Sequence, residues 1–339
     1  MKRRLSMCSY CLLISFFLLT LLILPSKPQA APYYEGKVMK IIVGVSPGGG
    51  FDIVARILAR HLPKYIPGKP TIIVENMVGA STMIAANHVY NIAKPDGLTI
   101  ATVFRSLLVA QLMKVQGMRF DLRKFSWVGG SGPEAYLFTI RSDLPYKTYE
   151  ELIKSKNQIV LGATGATDAT FVFPTLLKVY TGLNIKIAIY PASPEVMLAI
   201  ERKEVDGRAG SFNSLKPFID RGLVRPLLRG RVSQKGAENL PVDEKFASDK
   251  MGQSIMAMYS AGNLIGRPYV APPGTPAEVM NILRKAFAEV GKDPEFVNDV
   301  EKNKTDFDYV PADECLKVVN FTLNQPEEIV KEFGKYVKF

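Results

Sequence analysis

Three consecutive glycines between two apolar segments form the first stretch of this sequence whose residue types could do chemistry. The segment 46–52 reads Ser-Pro-Gly-Gly-Gly-Phe-Asp; it follows the β-branched run 41–45 and precedes the amphipathic stretch 53–62. This order predicts a strand, a tight loop and a helix. Glycines let the backbone approach a ligand closely, and the free amides and dipole of a helix N-terminus favour a negative charge. The candidate residues of this anion-binding loop are Pro47, Gly48, Gly49, Gly50, Phe51 and Asp52.

Other functions of the same loop need features that the sequence does not supply. The segment 44–48 matches the Gly-x-Ser-x-Gly elbow of serine hydrolases, but the residue after the serine must donate its backbone NH to the oxyanion, and Pro47 has none. A general base would have to be His61 or His88, the two histidines of the chain. The glycine spacing fits neither a dinucleotide fingerprint nor a phosphate P-loop. Asp52 could instead serve as a helix N-cap.

Two further loops are expected to open at the same edge of the first sheet. One is the segment 79–82 after the second predicted strand, and the other is the segment 104–106 after the third. Ligands of open α/β sheets bind at the carboxyl ends of the strands. Arg105 could bind a carboxylate through two parallel hydrogen bonds, or be a solvated surface arginine, and Ser81 could be a cap. The candidates are Ser81, Thr82, Phe104, Arg105 and Ser106.

The second half of the chain contains a similar loop. The segment 162–168 follows the apolar run 159–161 and precedes a predicted helix at 170–180, so it could hold the other end of an anion across a cleft. Asp206 and Arg208, beside a later strand, are either site residues or ordinary charges, and we favour Asp206. The candidates here are Thr164, Gly165, Ala166, Thr167, Asp168 and Asp206.

The N-terminal thirty residues predict export. Lys2, Arg3 and Arg4 precede an acid-free apolar run at 8–24, and small residues end the segment at Ala30, which is the order of a secretory signal peptide. The run is also long enough for an uncleaved membrane anchor. We expect residues 1–30 to be a signal peptide and the protein to be periplasmic.

Composition limits the partners and cofactors. The chain has 339 residues, 47% of them hydrophobic, and a net charge of +11. This basic excess suits acidic small ligands, but it could equally be ordinary surface charge that keeps the protein soluble. The sequence has no basic patch with interleaved aromatics, so we expect no nucleic acid. Without residues 1–30, Cys315 is the one remaining cysteine, and no disulfide can form within one copy. Two histidines and no cysteine cluster predict no metal site, and we expect no cofactor.

Alternating apolar runs and helical patterns predict an α/β protein of about two domains. We assign 31–135 and 262–339 to domain 1, and 136–261 to domain 2. Pro226 lies within the run 224–228 and cannot donate a hydrogen bond to a neighbouring strand, so we predict that this run is an edge strand.

Several segments, taken in order, resemble the tripartite tricarboxylate transporter substrate-binding proteins, also called Bug receptors. The resemblance extends over nearly the whole chain after residue 30, although each segment alone is weakly specific. The segments are Ile41–Asp52, Val74–Asn76 with Gly79–Ala80, Pro95–Gly97, Phe125–Gly129, Leu161–Gly165, Tyr190–Ala192, Glu204–Asp206 and Ala271–Pro276.

This resemblance implies a two-domain periplasmic-binding-protein fold of type II, a Venus-flytrap clamp that closes over a small carboxylate and delivers it to membrane permease subunits. It implies no catalysis, and we expect a monomer. The loops 47–52 and 164–168 would hold carboxylate oxygens, partly through water. Phe51, Ser81-Thr82 and the segment 104–106 depart from the family pattern, as does Lys203 in place of a glycine, so an aromatic or bulkier acid is conceivable.

Two other functions stay open at the level of the sequence. One is an exported α/β enzyme that acts on a carboxylate or ester, for which the sequence supplies no convincing pair of nucleophile and base. The other is a periplasmic sensor subunit that uses the same clamp to signal.

Overall fold

The computed structural model describes residues 31–165, 168–303 and 305–337. The predicted signal peptide and two candidate site residues, Ala166 and Thr167, therefore lie outside the described residues. Among the residues that are described, no helix has both the length and the apolar character needed to cross a membrane.

Strands and helices alternate along the described chain, as the sequence predicts. The strands β1 to β11 are, in chain order, Val38–Val43, Thr71–Asn76, Thr99–Thr102, Ser126–Gly130, Tyr136–Arg141, Ile159–Ala163, Ile185–Ile189, Gly207–Ser211, Val224–Arg229, Pro268–Ala271 and Val310–Pro311. The helices α1 to α12 are Gly50–His61, Met83–Asn91, Leu107–Leu112, Tyr149–Ser155, Ala169–Thr181, Ser193–Glu201, Phe212–Asp220, Lys250–Ala261, Ala277–Val290, Pro294–Lys302, Ala312–Leu323 and Glu327–Gly334. Short 3₁₀ turns lie at Leu62–Tyr65, Ala80–Thr82, Asp243–Phe246 and Gly262–Leu264.

The first sheet has the strand order β11-β4-β10-β3-β1-β2. Strand β1 is parallel to both β2 and β3, while β10 runs antiparallel between β3 and β4. The β-branched residues Ile41, Ile42 and Val43 are buried, as expected for a central strand that is covered on both faces. Helix α1 packs on this sheet through buried side chains spaced three to four residues apart, among them Val54 and Leu58.

The second sheet has the order β7-β6-β8-β5-β9. Strand β6 is parallel to β7 and β8, and β5 is antiparallel to β8 and β9. Strand β9 lies at the edge of the sheet, which confirms the prediction made from Pro226, because a proline in a central strand would remove a ladder hydrogen bond.

The chain crosses between the two sheets twice within the described residues. It leaves the first sheet after Gly130 and enters the second at Tyr136, then returns between Ala261 and Pro268. Helix α12 packs its residues Ile329 and Phe333 into the core beneath the second sheet. The division into 31–135 with 262–339 and 136–261 stays a proposal, and it assigns α12 to the first domain although its apolar face lies in the second core.

Candidate functional site

Loops at the carboxyl ends of strands from both sheets line one cavity of about 480 Å³. From the first sheet come Gly50, after β1, and Arg105, after β3. From the second come Thr164, after β6, and Ser211, at the end of β8. The cavity therefore lies where open α/β sheets place their ligands.

Asp52 organises the glycine loop from within. Its side chain is 2% exposed and accepts hydrogen bonds from the Gly48 amide at 2.8 Å, Arg56 Nε at 2.9 Å and Asn76 Nδ2 at 2.8 Å. Burial by itself raises the pKa of this carboxyl, but the hydrogen bonds from Arg56, Gly48 and Asn76 together hold the pKa below its usual value. Asp52 does not line the cavity, so it positions the loop and is not placed to touch a ligand there.

The structure differs from the sequence interpretation in the helix N-cap and in which residues of the loop reach the cavity. Helix α1 begins at Gly50 with Gly49 as its N-cap, so the alternative role of Asp52 as an N-cap is wrong, and its carboxylate lies in the first turn instead. Gly48 has φ +85°, a backbone conformation that favours glycine. Pro47, Gly48 and Gly49 form the exposed rim of the loop and are not among the residues that line the cavity.

Phe51 is the aromatic wall of the first side. Its ring contacts the edge of Phe104 at a centroid distance of 4.9 Å, and the Arg267 guanidinium carbon lies 5.7 Å from the Phe51 ring centre. Phe51 lines the cavity, whereas Phe104 lies behind it and donates its backbone NH to Thr82 Oγ1 at 2.9 Å. Thr82 is buried and serves this contact, not the cavity.

The segment Ala80–Thr82 is backbone-strained. Its three residues have φ of +44°, +51° and +72°, a region where glycine carries no penalty and other residues cost roughly 1 kcal/mol or more. Ser81 is exposed and lines a different cavity, together with Ile84 and Leu107. The structure therefore does not bring Ser81 to the main cavity.

Arg105 lines the cavity but is already paired. Its Nη2 lies 2.7 Å from Glu134 Oε2, its Nε donates to Asn263 Oδ1 at 2.7 Å, and its Nη1 donates to the Gly266 carbonyl at 3.4 Å. Burial by itself raises the pKa of Glu134, but the charges of Arg105 and Arg267 and hydrogen bonds outweigh it and lower that pKa. Arg105 thus ties together both crossovers between the sheets. Ser106 lines two neighbouring cavities instead of this one.

The loop of the second sheet is held by helix α5. Asp168 is the N-cap of that helix and accepts from the Thr170 amide at 2.6 Å, while the Thr164 amide donates to Thr170 Oγ1 at 2.9 Å. Thr164 and Asp168 line the cavity, and Gly165 does not. Ala166 and Thr167 fall in the gap between the described ranges.

Arg208 is a buried cation that the sequence analysis did not favour. It is 4% exposed on β8, with Nη2 3.3 Å from Ser193 Oγ and Nε 3.1 Å from the Ala209 carbonyl. Burial lowers its pKa, and the charges of Tyr136 and Asp168 partly oppose that effect. Within the described ranges, the side-chain contacts of Arg208 are to a hydroxyl and a carbonyl and not to a carboxylate, so its charge remains open to a ligand in the cavity.

The sequence around Arg208 could have indicated that this arginine is buried. It is the one large residue in the run 207–211, Gly-Arg-Ala-Gly-Ser. A Cβ on Gly207 would collide with the Thr139 carbonyl of the neighbouring strand, so the small residues reflect close packing around the arginine.

Arg267 is a second buried cation, and the sequence analysis missed it. It is 9% exposed and lies just before β10, with Nη1 3.4 Å from Asp306 Oδ1, whose side chain is half-exposed. Its Nε is buried and has no hydrogen-bond partner among the described residues. Because β10 is antiparallel to β3, the start of β10 lies at the same edge as the end of β3.

Asp206 lies at the other edge of the second sheet. It precedes β8, whose far end reaches the cavity at Ser211, about 16 Å away for five extended residues. Its carboxylate accepts the Val160 amide at 2.8 Å and lies 3.6 Å from Arg141 Nη1. The structure therefore separates Asp206 from the cavity and gives it contacts within the sheet.

A cluster elsewhere meets the spacing of metal ligands. Donor atoms of His61, Asp293 and Glu295 lie within 4.8 Å of one another. The Lys64 ammonium lies between the two carboxylates, 3.1 Å from Asp293 Oδ2 and in contact with Glu295. The cluster therefore has the chemistry of an ion pair with a lysine, which supplies the positive charge itself.

The charges around the main cavity favour an anion. Its lining includes three arginines, of which Arg105 is paired, and two acidic residues, Glu134 and Asp168. Arg208 lies on the second sheet and Arg267 beside the first, so a ligand between them would meet a buried guanidinium on each side. Five of the predicted residues line this cavity, namely Gly50, Phe51, Arg105, Thr164 and Asp168.

Comparison with known proteins gives the same architecture. A UPF0065 protein of Bordetella pertussis is 24% identical over 92% of this chain and 94% of its own length. A TctC solute-binding protein from Polaromonas superposes with a TM-score of 0.71 at 20% identity, covering 89% of this chain and 98% of that one. An R. palustris protein solved with adipate superposes with a TM-score of 0.64 at 18% identity, over 88% and 98% of the two chains. These likenesses confirm the predicted α/β clamp fold.

A family model described as the tripartite tricarboxylate transporter family receptor matches residues 54–335. That range covers most of the chain and contains segments from both sheets. Members of this family are periplasmic solute-binding receptors and not enzymes. The chain therefore belongs to the tripartite tricarboxylate transporter receptor family, to which the Bug proteins also belong.

Proposed function

We propose that this protein captures a small organic carboxylate in the periplasm and delivers it to the permease subunits of a tripartite tricarboxylate-type transporter. The observation that carries the ligand class is the pair of buried arginines on opposite sides of the main cavity. Arg208 has no carboxylate partner in the described chain, and Arg267 has two long contacts to the half-exposed Asp306, 3.4 Å to its Oδ1 and 3.5 Å to its backbone carbonyl. A bound carboxylate would satisfy both.

The physical basis is the low dielectric constant around the two buried guanidinium groups. A buried guanidinium loses its hydration, so an anion that replaces the lost water is held more strongly than at the surface. Arginine also presents its donors in a planar fork that matches the two oxygens of a carboxylate. Gly50, the residue of the glycine triplet that lines the cavity, adds its backbone amide at the start of α1 beside Phe51.

A similar protein supports the same ligand class. The R. palustris neighbour was solved with adipate, a carboxylate with two charged ends. In our proposal, one carboxylate of such a ligand lies between Arg208 and Arg267. The aromatic wall of Phe51 gives the cavity a preference for acids with an apolar body over small, fully polar ones.

Location and partners are part of the proposal. The family is periplasmic, and residues 1–30 have the composition of a secretory signal, so we propose export followed by cleavage near Ala30. We propose that the exported protein acts as a monomer and meets the permease after it has bound its ligand.

The test is a calorimetric and thermal-shift screen of residues 31–339 against mono-, di- and tricarboxylates. A ligand that binds the native state raises the melting temperature with concentration. We expect Arg208→Gln and Arg267→Gln each to weaken binding of the best acid at least about 30-fold, because each removes a charge-assisted hydrogen bond. The matched control is Arg202→Gln, which changes an exposed arginine away from the cavity.

Two outcomes would count against this function. If no carboxylate binds, or if both arginine variants bind the acid as tightly as the Arg202→Gln control, the carboxylate proposal fails.

A further inference from the structure

A second, smaller cavity adjoins the main one behind Arg105, and we call it the hinge annex. It has a volume of about 70 Å³ and shares Arg105, Tyr136 and Ala169 with the main cavity as a common wall. Its other walls come from helices α3, α5, α8 and α11, and therefore from elements that pack against both sheets. The annex lies where the chain crosses between the sheets.

The walls of the annex are mostly apolar. Leu108, Val109, Phe173 and Met258 line it, and each of these side chains is buried. The ring of Tyr136 packs edge-on against Phe173 at a centroid distance of 5.4 Å. Such a lining favours a hydrocarbon segment.

One polar side chain in the annex lacks a partner. Thr322 lines the annex from α11 and is 1% exposed, and its Oγ1 has no hydrogen-bond partner among the described residues. A buried hydroxyl without a partner costs about 1–3 kcal/mol, so a group that supplies the missing hydrogen bond would be held there. Ser260, also 1% exposed, lies in the same lining and offers a second hydroxyl.

The charges around the annex exclude an ionic group. Arg105 is the charged residue of the annex lining, and Glu134 pairs with it at 2.7 Å. A second carboxylate in the annex would meet no free cation from the described residues, and burial without a partner would make it costly. The group that fits is neutral and polar.

The volume limits the size of that group. About 70 Å³ is about half of the ~150 Å³ cavity that holds a benzene ring. The annex therefore accepts roughly two or three non-hydrogen atoms and excludes a phenyl group.

From these features we infer that the hinge annex is a second binding subsite, which receives the short neutral end of the ligand. Thr322 recognises a hydroxyl or carbonyl group at that end by a hydrogen bond. This inference rests on the proposed function, because the carboxylate of the same ligand binds between Arg208 and Arg267. The ligand class is thus a carboxylate with an apolar middle and a neutral, hydrogen-bonding end.

The experiment compares two series of acids on residues 31–339 by calorimetry. One series is the straight-chain ω-hydroxy acids with three to eight carbons, and the other is the unsubstituted acids of the same lengths. We expect the native protein to prefer the hydroxy acid at one or two adjacent lengths. Thr322→Val should reduce that preference about tenfold, because it removes the hydroxyl and keeps the shape of the side chain.

Two further variants control for packing. Thr102→Val changes another fully buried threonine, which lines neither cavity, and should leave the preference unchanged. Val109→Leu adds a methylene group to the wall of the annex and should shift the preferred chain to a shorter length. The melting temperature of each variant without ligand reports whether it is folded.

The outcomes separate this inference from the function on which it rests. If the acids bind through Arg208 and Arg267 but the native protein has no hydroxyl preference at any length, the subsite is refuted and the carboxylate receptor stands. The same holds if Thr322→Val leaves an existing preference intact. If none of these acids binds but a di- or tricarboxylate does, the subsite is refuted and the carboxylate receptor stands. If no carboxylate of either screen binds, both proposals are overturned.

Discussion

Arg105 Nη2 and Glu134 Oε2 lie 2.7 Å apart and join the loop after β3 to the first crossover between the sheets. Arg105 also donates to Asn263 Oδ1 at 2.7 Å, in the second crossover. The two crossovers contact each other directly, since the Glu134 amide donates to the Asn263 carbonyl at 2.9 Å. One arginine therefore connects both segments through which the two halves of the clamp are linked.

The first prediction concerns this ion pair. Glu134→Gln should lower the free energy of unfolding by about 2 kcal/mol, less than the ~3–5 kcal/mol for a fully buried pair because both side chains keep some exposure. Urea unfolding of the two proteins measures the difference. Lys216→Gln, which breaks the exposed pair with Asp220, is the control and should change stability by less than about 0.5 kcal/mol.

Glu134→Gln should also make the free energy of unfolding fall less steeply as the pH drops below about 4.5. The pKa of Glu134 lies below its usual 4.5, so its ionised form stabilises the folded state above that pH. The stabilisation is lost as the pH falls through the lowered pKa of the folded state. A curve for Glu134→Gln that falls as steeply as the native one below pH 4.5 would show that other groups cause this pH dependence.

The second prediction concerns the strained turn before α2. Ser81 has φ +51°, so Ser81→Gly should raise the free energy of unfolding by about 0.5–1 kcal/mol by removing a steric penalty. Ser254→Gly, inside helix α8, is the control and should have the opposite sign, because glycine costs about 0.5–1 kcal/mol in a helix. Thermal denaturation distinguishes the two, and a loss of stability in both variants would refute the strain.

The third prediction concerns Asp243, a buried carboxyl outside the site. It is 1% exposed; its Oδ1 accepts the Glu244 amide at 2.9 Å, and its Oδ2 has no partner in the described part of the chain. Burial, and then the charge of Glu244, raise its pKa to about 7, although the Glu244 amide and Arg231 oppose this.

The sign of the pH effect follows from the raised pKa. Between about pH 4 and pH 7 the folded state binds a proton that the unfolded state has released, so stability falls as the pH rises through this range. Asp243→Asn should flatten that slope and raise the free energy of unfolding at pH 8 by about 1–3 kcal/mol. Urea titrations at pH 5 and pH 8 measure it, with the exposed Asp220→Asn as the control. If the free energy of unfolding of Asp243→Asn falls between pH 5 and pH 8 as much as that of the native protein, a group other than Asp243 causes the pH dependence.

The fourth prediction concerns ligand choice at Phe51. Its ring contacts Phe104 and lies under Arg267, so Phe51→Thr should remove an apolar wall from the cavity and loosen the guanidinium. We expect acids with an apolar body to lose affinity about tenfold relative to short polar acids. Phe321→Thr, at an exposed position on α11, is the control. A ligand profile that does not change in Phe51→Thr would mean that this wall has no part in selection.

The sequence alone determined the local features of the site. The β-branched run 41–45, the glycines 48–50 and the apolar spacing of 53–62 predicted strand, loop and helix, because each depends on neighbouring residues and on the period of a single element. The order of segments along the chain also identified the family. Pro226 indicated an edge strand, since it cannot donate to a central ladder.

The tertiary structure alone decided which charges meet in the cavity. Arg267 reaches it because β10 runs antiparallel beside β3. Arg208 reaches it because its long side chain extends to Ser193, which also lines the cavity. Asp206, two residues before Arg208, lies at the opposite edge and contacts Arg141 instead. Strand direction and order depend on pairings between distant segments, and the spacing of residues in one sequence carries no information about them.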